Sequence, residues 1–148
     1  DSLKKSGKGK GEDESGDIIQ KKLKEEGYSS ERIIISDEDE EIRKELSKSS
    51  KNPEIDALIT TGGTGITSRD RTVDVVKELF EKELPGFGEL MRSESYEEVG
   101  KAAFLSRTTA GIVDKKPIFC LPGSPNSVRN GMKIIIPELA HTVKHARE

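Results

Sequence analysis

The run IDALI, residues 55 to 59, narrows the choice of architecture more than any other stretch of the chain. A short strand that is apolar at successive positions has no face to turn to water, so it belongs in a sheet covered on both sides. Its surroundings agree. RIIIS at 32 to 36, IDALIT at 55 to 60, AGIV at 110 to 113 and PIFCLP at 117 to 122 read as strands. Between them lie segments with helical spacing. Ile19 and Leu23 stand four apart in DIIQKKLKEEG, with Ser15 or Asp17 as a cap and Gly27 as the stop. Ile42 and Leu46 do the same behind an acidic first turn, and Val75, Val76, Leu79 and Phe80 line a helix over 72 to 84 that Pro85 and Gly86 end. A further helix is expected around Tyr96 to Leu105. The last helix opens at GSPNSV, with Pro125 in its first turn, and Pro137 is expected to break or kink it. Strands alternating with helices predict an α/β fold with a mostly parallel sheet and ligands beyond the carboxyl ends of its strands.

One domain of 148 residues is expected, spanning residues 1–148, with 1–16 (DSLKKSGKGKGEDESG) as a flexible loop. Charge is nearly balanced, 25 basic against 28 acidic residues, so neither nucleic acid nor an anionic membrane is an expected partner. No run approaches the ~18 apolar residues of a membrane span, and a single cysteine, Cys120, sits within an apolar strand. A cytoplasmic setting is expected. Cys120 reads as core. His141 and His145, four apart, can share a metal on one helix face, yet no third ligand stands beside them, and a surface or interface role is the expectation.

Directly after IDALI comes TTGGTGITSRD, residues 60 to 70. Gly62, Gly63 and Gly65 permit positive φ and let backbone N–H groups approach phosphate oxygens. Thr60, Thr61, Thr64 and Thr67 add hydroxyls, and Arg69 can pair with an anion. Asp70 suits either a magnesium ion held between carboxylate and phosphates or a cap on the helix from Thr72. Taken alone, TGGTG is as readily a tight turn, and neither the Walker spacing nor the dinucleotide fingerprint is present. A second bend, LPGSPNS at 121 to 127, also joins a strand to a helix start, and two such bends in one parallel sheet would wall a common cleft.

The order of these pieces, DESG at 13 to 16, SDE at 36 to 38, TTGGTGITSRDRT, LPGFGELMR at 84 to 92, LSRTTAG at 105 to 111 and LPGSPNSV at 121 to 128, resembles the molybdenum cofactor biosynthesis family of the MogA/MoaB type over nearly the whole chain. The resemblance implies a three-layer α/β/α domain, a homotrimer or higher multiple, that binds molybdopterin and transfers AMP to its terminal phosphate from magnesium ATP, releasing pyrophosphate. It gives Asp70 a catalytic and magnesium-binding role and Asp37 a second acidic role, although the residues around Asp37 read as a solvated helix start. It assigns substrate binding to Ser15, Gly16, Gly62, Gly63, Thr64, Gly65, Arg69, Thr72, Ser106, Arg107, Gly123, Ser124 and Pro125. The alternative is a noncatalytic molybdopterin-binding or trimeric scaffold protein; a third reading is a relative acting on another nucleotide or pterin.

Two departures stand out. The family's RDVTP reads RDRTV here, so that Arg71 either adds an anion contact or faces solvent. The family's apolar first strand is missing ahead of Asp1-Ser2. Since a central strand cannot be absent without exposing its neighbours' backbone groups, either residues before Asp1 or another segment should fill the slot.

Overall fold

The computed structural model describes residues 2–6 and 10–148. Six strands form one sheet: β1 (Ser2–Ser6), β2 (Glu31–Ile35), β3 (Leu58–Thr61), β4 (Lys82–Glu83), β5 (Thr109–Val113) and β6 (Lys116–Leu121), in the order β2-β1-β3-β6-β5-β4. β2, β1, β3 and β6 run parallel, whereas β5 pairs antiparallel with β6 and β4 antiparallel with β5. The β5–β6 hairpin turns on Asp114 and Lys115, both at positive φ (51° and 61°), as a two-residue hairpin bend requires. The helices are α1 (Lys10–Glu25), α2 (Asp39–Ser50), α3 (Thr72–Leu79), α4 (Pro85–Val99) and α5 (Pro125–Ala146), with a 3-10 segment at Gly100–Leu105.

Alternation along the central strands explains the layers. Ile59, Phe119 and Leu121 point to one side, where they meet Ile19 and Leu23 of α1, Phe87 and Met91 of α4, and Val128, Met132, Ile135 and Leu139 of α5. Leu58, Ile118 and Cys120 point to the other, against Ile42 and Leu46 of α2 and Val73, Val75 and Val76 of α3. The expected three-layer α/β/α fold is therefore what forms; the strand starts at Leu58, and of IDALI the residues Ile55, Ala57, Leu58 and Ile59 are buried while Asp56 is partly exposed. Phe87 and Met91 belong to this core, while Leu90 between them is exposed. No helix among the described residues is long and apolar enough to cross a membrane.

Four expectations are corrected. Residues 1–16 are not a loop: Ser2–Ser6 is a central strand and α1 begins at Lys10, with residues 1 and 7–9 outside the described set. The slot between β2 and β3 is thus filled by the chain's own Ser2–Ser6, the second of the two alternatives. DESG lies inside α1, so neither Ser15 nor Asp17 caps it. Pro85 and Gly86 begin α4, Pro85 standing where a missing N–H costs nothing, and α3 ends earlier, at Leu79. Pro137 does not break α5, because Ile135 and Leu139 on either side of it are both buried against the sheet.

Candidate functional site

Both glycine-rich bends lie at the carboxyl ends of neighbouring strands. β3 and β6 pair from Leu58 with Ile118 to Thr61 with Leu121. The pairing continues into the bends, since the Gly62 amide donates to the Leu121 carbonyl (2.8 Å) and the Thr61 hydroxyl to the Pro122 carbonyl (3.0 Å). Beyond them opens a cavity of about 550 Å³, walled on one side by Thr64 and Gly65 and on the other by Pro122, Ser124, Pro125, Asn126 and Ser127. Ser106 and Leu105 close a third side, with Ser95, Glu98 and Val99 of α4 opposite. The two bends share one cleft, as expected from their places in a parallel sheet.

The amides of Gly63, Thr64 and Gly65 have no acceptor among the described residues. Gly62 differs, because its N–H already serves Leu121; it anchors the loop and does not offer a donor. Gly63 sits at φ 71°, and a Cβ there would overlap the Thr72 hydroxyl, so Thr72 packs beneath the loop. A Cβ on Gly65 would lie 2.6 Å from Asp70 Oδ2. That close approach seats the Asp70 carboxylate directly against the loop. Its Oδ2 accepts from the Thr67 amide (2.9 Å) and hydroxyl (2.7 Å), while Oδ1 has no partner among the described residues. Asp70 is not a helix cap, since α3 is preceded by Arg71 and has no side-chain cap; it is half-buried against the loop and, like Gly62, Gly63 and Arg69, stands outside the residues that line the cavity.

Arg107 binds differently from the expectation. Its Nε donates to the Gly65 carbonyl (2.8 Å), Nη2 to the Asp70 carbonyl (2.9 Å), and Nη1 and Nη2 to Asp74 (2.8 and 3.0 Å). Its own amide donates to the Thr64 carbonyl (2.8 Å). The guanidinium thus fastens the glycine loop to α3. Arg71, its side chain partly exposed, forms a bidentate pair with Asp39 at 2.9 Å through each contact and lies 3.7 Å from Asp74. Hydrogen bonding from Arg107 holds the Asp74 carboxyl below the usual range, and hydrogen bonding from Arg71 does the same to Asp39. Asp39, Arg71, Asp74 and Arg107 form a chain of alternating charge that ties α2 to the loop. The sequence held one sign of it, the Arg71-x-x-Asp74 spacing in a first helical turn.

The other named residues take mixed places. Ser124 caps α5, accepting from the Ser127 amide (3.3 Å), and its neighbour Gly123 accepts from the buried Ser15 hydroxyl (2.8 Å), which fixes α1 against the second bend. Gly16 packs against the Arg32 guanidinium, away from the cleft lining. Arg69 is exposed, its guanidinium without a partner among the described residues. Asp37 is exposed beyond β2, two strands from β3, and does not line the cavity; Asp39 is the acid of that segment drawn inward. Cys120 is fully buried, and burial pushes its thiol up to about 12, which removes it as a nucleophile. No described trio of His, Cys, Asp or Glu is arranged to hold a metal ion.

Residues 1–141 match the family model described as a probable molybdopterin binding domain. The chain belongs to that family. This molybdopterin-binding domain is 45% identical over 148 residues to the molybdopterin adenylyltransferase of Pyrococcus furiosus, covering 97% of this chain and 86% of that one. It is 41% identical to the molybdenum cofactor biosynthesis protein B of Bacillus subtilis, covering 92% and 82%. Among solved structures, the tungsten cofactor synthesizing protein MoaB from Pyrococcus furiosus superposes with a TM-score of 0.88 at 42% identity, covering 99% of this chain and 96% of that one. The Mog protein from Mycobacterium ulcerans gives 0.88 at 26%, covering 98% and 97%. The fold and family expected from the sequence motifs are those of the molecule.

Proposed function

We infer that this molybdopterin-binding domain is a molybdopterin adenylyltransferase of molybdenum cofactor biosynthesis, transferring AMP from ATP to the terminal phosphate of molybdopterin. The observation that carries the reading is the single cleft between the two bends, with loop amides that have no acceptor among the described residues on one wall and the Asp70 carboxylate packed against the same loop. Relatives named for this activity support it over a noncatalytic scaffold.

In this reaction an oxygen of the molybdopterin phosphate attacks the α-phosphorus of ATP, the bond from that phosphorus to the β-phosphate bridging oxygen breaks, and pyrophosphate leaves with the electron pair. No protein nucleophile is required, so the chain's task is to hold two anions in line and offset their charge. The amides of Gly63, Thr64 and Gly65 bind phosphate oxygens, and the Asn126 end of α5, with its dipole, faces them from the other wall. Arg69, exposed on the same loop, supplies a cation to the substrate phosphates. Ser106 lines the cleft as a hydrogen-bonding hydroxyl, and Arg107, Thr72, Ser15 and Gly123 hold the walls in place. Glu98 is the only charged residue among the described lining, and it opposes anions on the α4 side, which directs the phosphates toward the loop.

Magnesium fits this site. It is satisfied by one or two carboxylates together with phosphate oxygens, and Asp70 presents one carboxylate oxygen, Oδ1, that no described group occupies. Bound there with ATP, the ion would neutralise phosphate charge. The proposed assembly is a homotrimer, and the proposed compartment is the cytoplasm.

The test is AMP transfer from ATP to molybdopterin by the intact chain and by Asp70→Ala. Transfer by the former and a loss of at least ~100-fold in the latter, with molybdopterin still bound, is the expected result, comparable to removing a group that stabilises transition-state charge. An intact chain that binds molybdopterin and transfers nothing would overturn the catalytic reading.

A further inference from the structure

The active-site cleft leaves one chemistry-bearing cluster unused. His141 and His145 sit in the last turns of α5, sixteen residues or more beyond Pro125, which at helical rise places them about 24 Å from the cleft. Their rings meet edge to face with centroids 4.4 Å apart, and their Nε2 atoms are 2.7 Å apart. On the far side of each ring stands a carboxylate: Glu138 Oε2 lies 3.3 Å from His141 Nδ1, and Glu148 Oε2 lies 3.5 Å from His145 Nδ1.

A carboxylate beside Nδ1 accepts a proton from that nitrogen, and a ring whose proton sits there offers the lone pair of Nε2. The Nε2–Nε2 contact is a hydrogen bond in which one ring donates and the other accepts, and a metal ion would take the place of its proton. A carboxylate at Nδ1 with Nε2 left for the ion is also the arrangement that orients histidine for metal binding. We propose that His141 and His145 form a bidentate site for divalent copper or nickel on the exposed C-terminal end of α5.

Bite geometry decides the class of ion. With metal–nitrogen bonds of about 2.0–2.1 Å, two ligands at a right angle are about 2.9 Å apart, whereas two ligands of a tetrahedron are about 3.3 Å apart. The observed separation is nearer the first value, and each ring must also turn so that its Nε2 lone pair leaves the line between the two nitrogens and converges with the other on the ion. Right-angle bites belong to the tetragonal and octahedral ions, and the affinity order of divalent metals also favours copper. Among the described residues no third protein ligand faces the Nε2 atoms, so water completes the shell. Both side chains are well exposed, at 65% and 62%, and an ion enters without unfolding anything.

The test uses the intact chain titrated with copper(II) chloride at neutral pH and read by electron paramagnetic resonance. The expected result is one tetragonal copper per chain with nitrogen hyperfine structure, its affinity falling at least tenfold in His141→Gln and in His145→Gln. AMP transfer measured without copper should stay within twofold in both variants, since neither residue touches the cleft. Copper uptake unchanged by both substitutions would overturn the site, and so would the absence of uptake by the intact chain, which would leave a shared proton as the only cation between the rings.

Discussion

Arg107→Met tests whether the guanidinium holds the glycine loop or meets substrate. Four side-chain hydrogen bonds are lost, two to the carbonyls of Gly65 and Asp70 and two to Asp74, at 2.8 to 3.0 Å. Charge-assisted hydrogen bonds contribute roughly 1.5–3 kcal/mol where buried, but about a third of each side chain of this pair is exposed, 34% for Arg107 and 32% for Asp74. Solvent screening therefore holds the whole loss to about 2 kcal/mol. For a domain of this size that corresponds to a fall in Tm of about 4–8 °C. The pH dependence carries a sign. Arg107 depresses the Asp74 pKa in the folded state, so the pair's stabilisation is complete above the ordinary carboxylate pKa near 4 and is lost as pH falls below it. Removing Arg107 should flatten that acid limb and leave stability between pH 6 and 8 lower by a constant amount.

Activity separates the two roles. Without its fork the carbonyls of Gly65 and Asp70 lose their common anchor, and the loop amides and Asp70 drift relative to the opposite bend; AMP transfer should fall about 10- to 100-fold, since displacements of about 1 Å cost that much. Arg107→Lys is the decisive partner. A single ammonium can reach Asp74 or one carbonyl but cannot bridge all three, so the lysine variant should be nearly as impaired as methionine. If Arg107 instead gripped a phosphate, lysine would restore most of the rate. Near-normal transfer by Arg107→Lys beside a crippled Arg107→Met would refute the clamp.

Gly63→Ala should lower stability by about 2 kcal/mol or more and sharply reduce transfer, because positive φ costs a non-glycine residue about 1–2 kcal/mol and the new methyl also overlaps Thr72. Gly27→Ala is its control: φ is 84° with nothing within 4 Å, so melting should show only the backbone cost and transfer should be unchanged. Equal losses in the two would remove the claim that Gly63 seats the loop on Thr72. Cys120, its thiol pushed up to about 12 by full burial, should resist iodoacetamide at pH 8 in the folded chain and react on addition of guanidinium; rapid labelling of the native protein would contradict its place in the core.

What the sequence disclosed follows from where the energy lies. β3 and β6 are written in apolar residues because both faces are buried, and the runs at 55 to 60 and 117 to 122 were legible for that reason. β1 has the opposite character. SLKKS holds one apolar residue, and its place between β2 and β3 rests on backbone pairing along both edges, which leaves no side-chain pattern to read. α4 was misplaced because Pro85 and Gly86 signal an ending as well as they signal a start, and because only Phe87, Gly88 and Met91 of its fifteen residues are buried.

The cleft was legible to the extent that glycine carries it and illegible where arginine does. Gly63 and Gly65 are required by close backbone approach, a local property that spacing reports. The partners of an arginine are not local: Arg71 finds Asp39 across 32 positions, and Arg107 finds Asp74 across 33. A guanidinium near a phosphate loop can bind phosphate or internal carboxylate and carbonyl oxygens, and the internal ones win when the fold brings them to bonding distance, because they need no second molecule. Arg107, Arg71 and Arg92 all go that way, Arg92 onto the carbonyls of Ser106 and Thr108. Of the arginines near the cleft, Arg69 alone keeps its guanidinium unpaired among the described residues, and it stands on the loop tip where no carboxylate has been folded toward it. A cationic contact to substrate is therefore best sought at Arg69, while the other three supply the rigidity that lets bare amides discriminate where a phosphate sits.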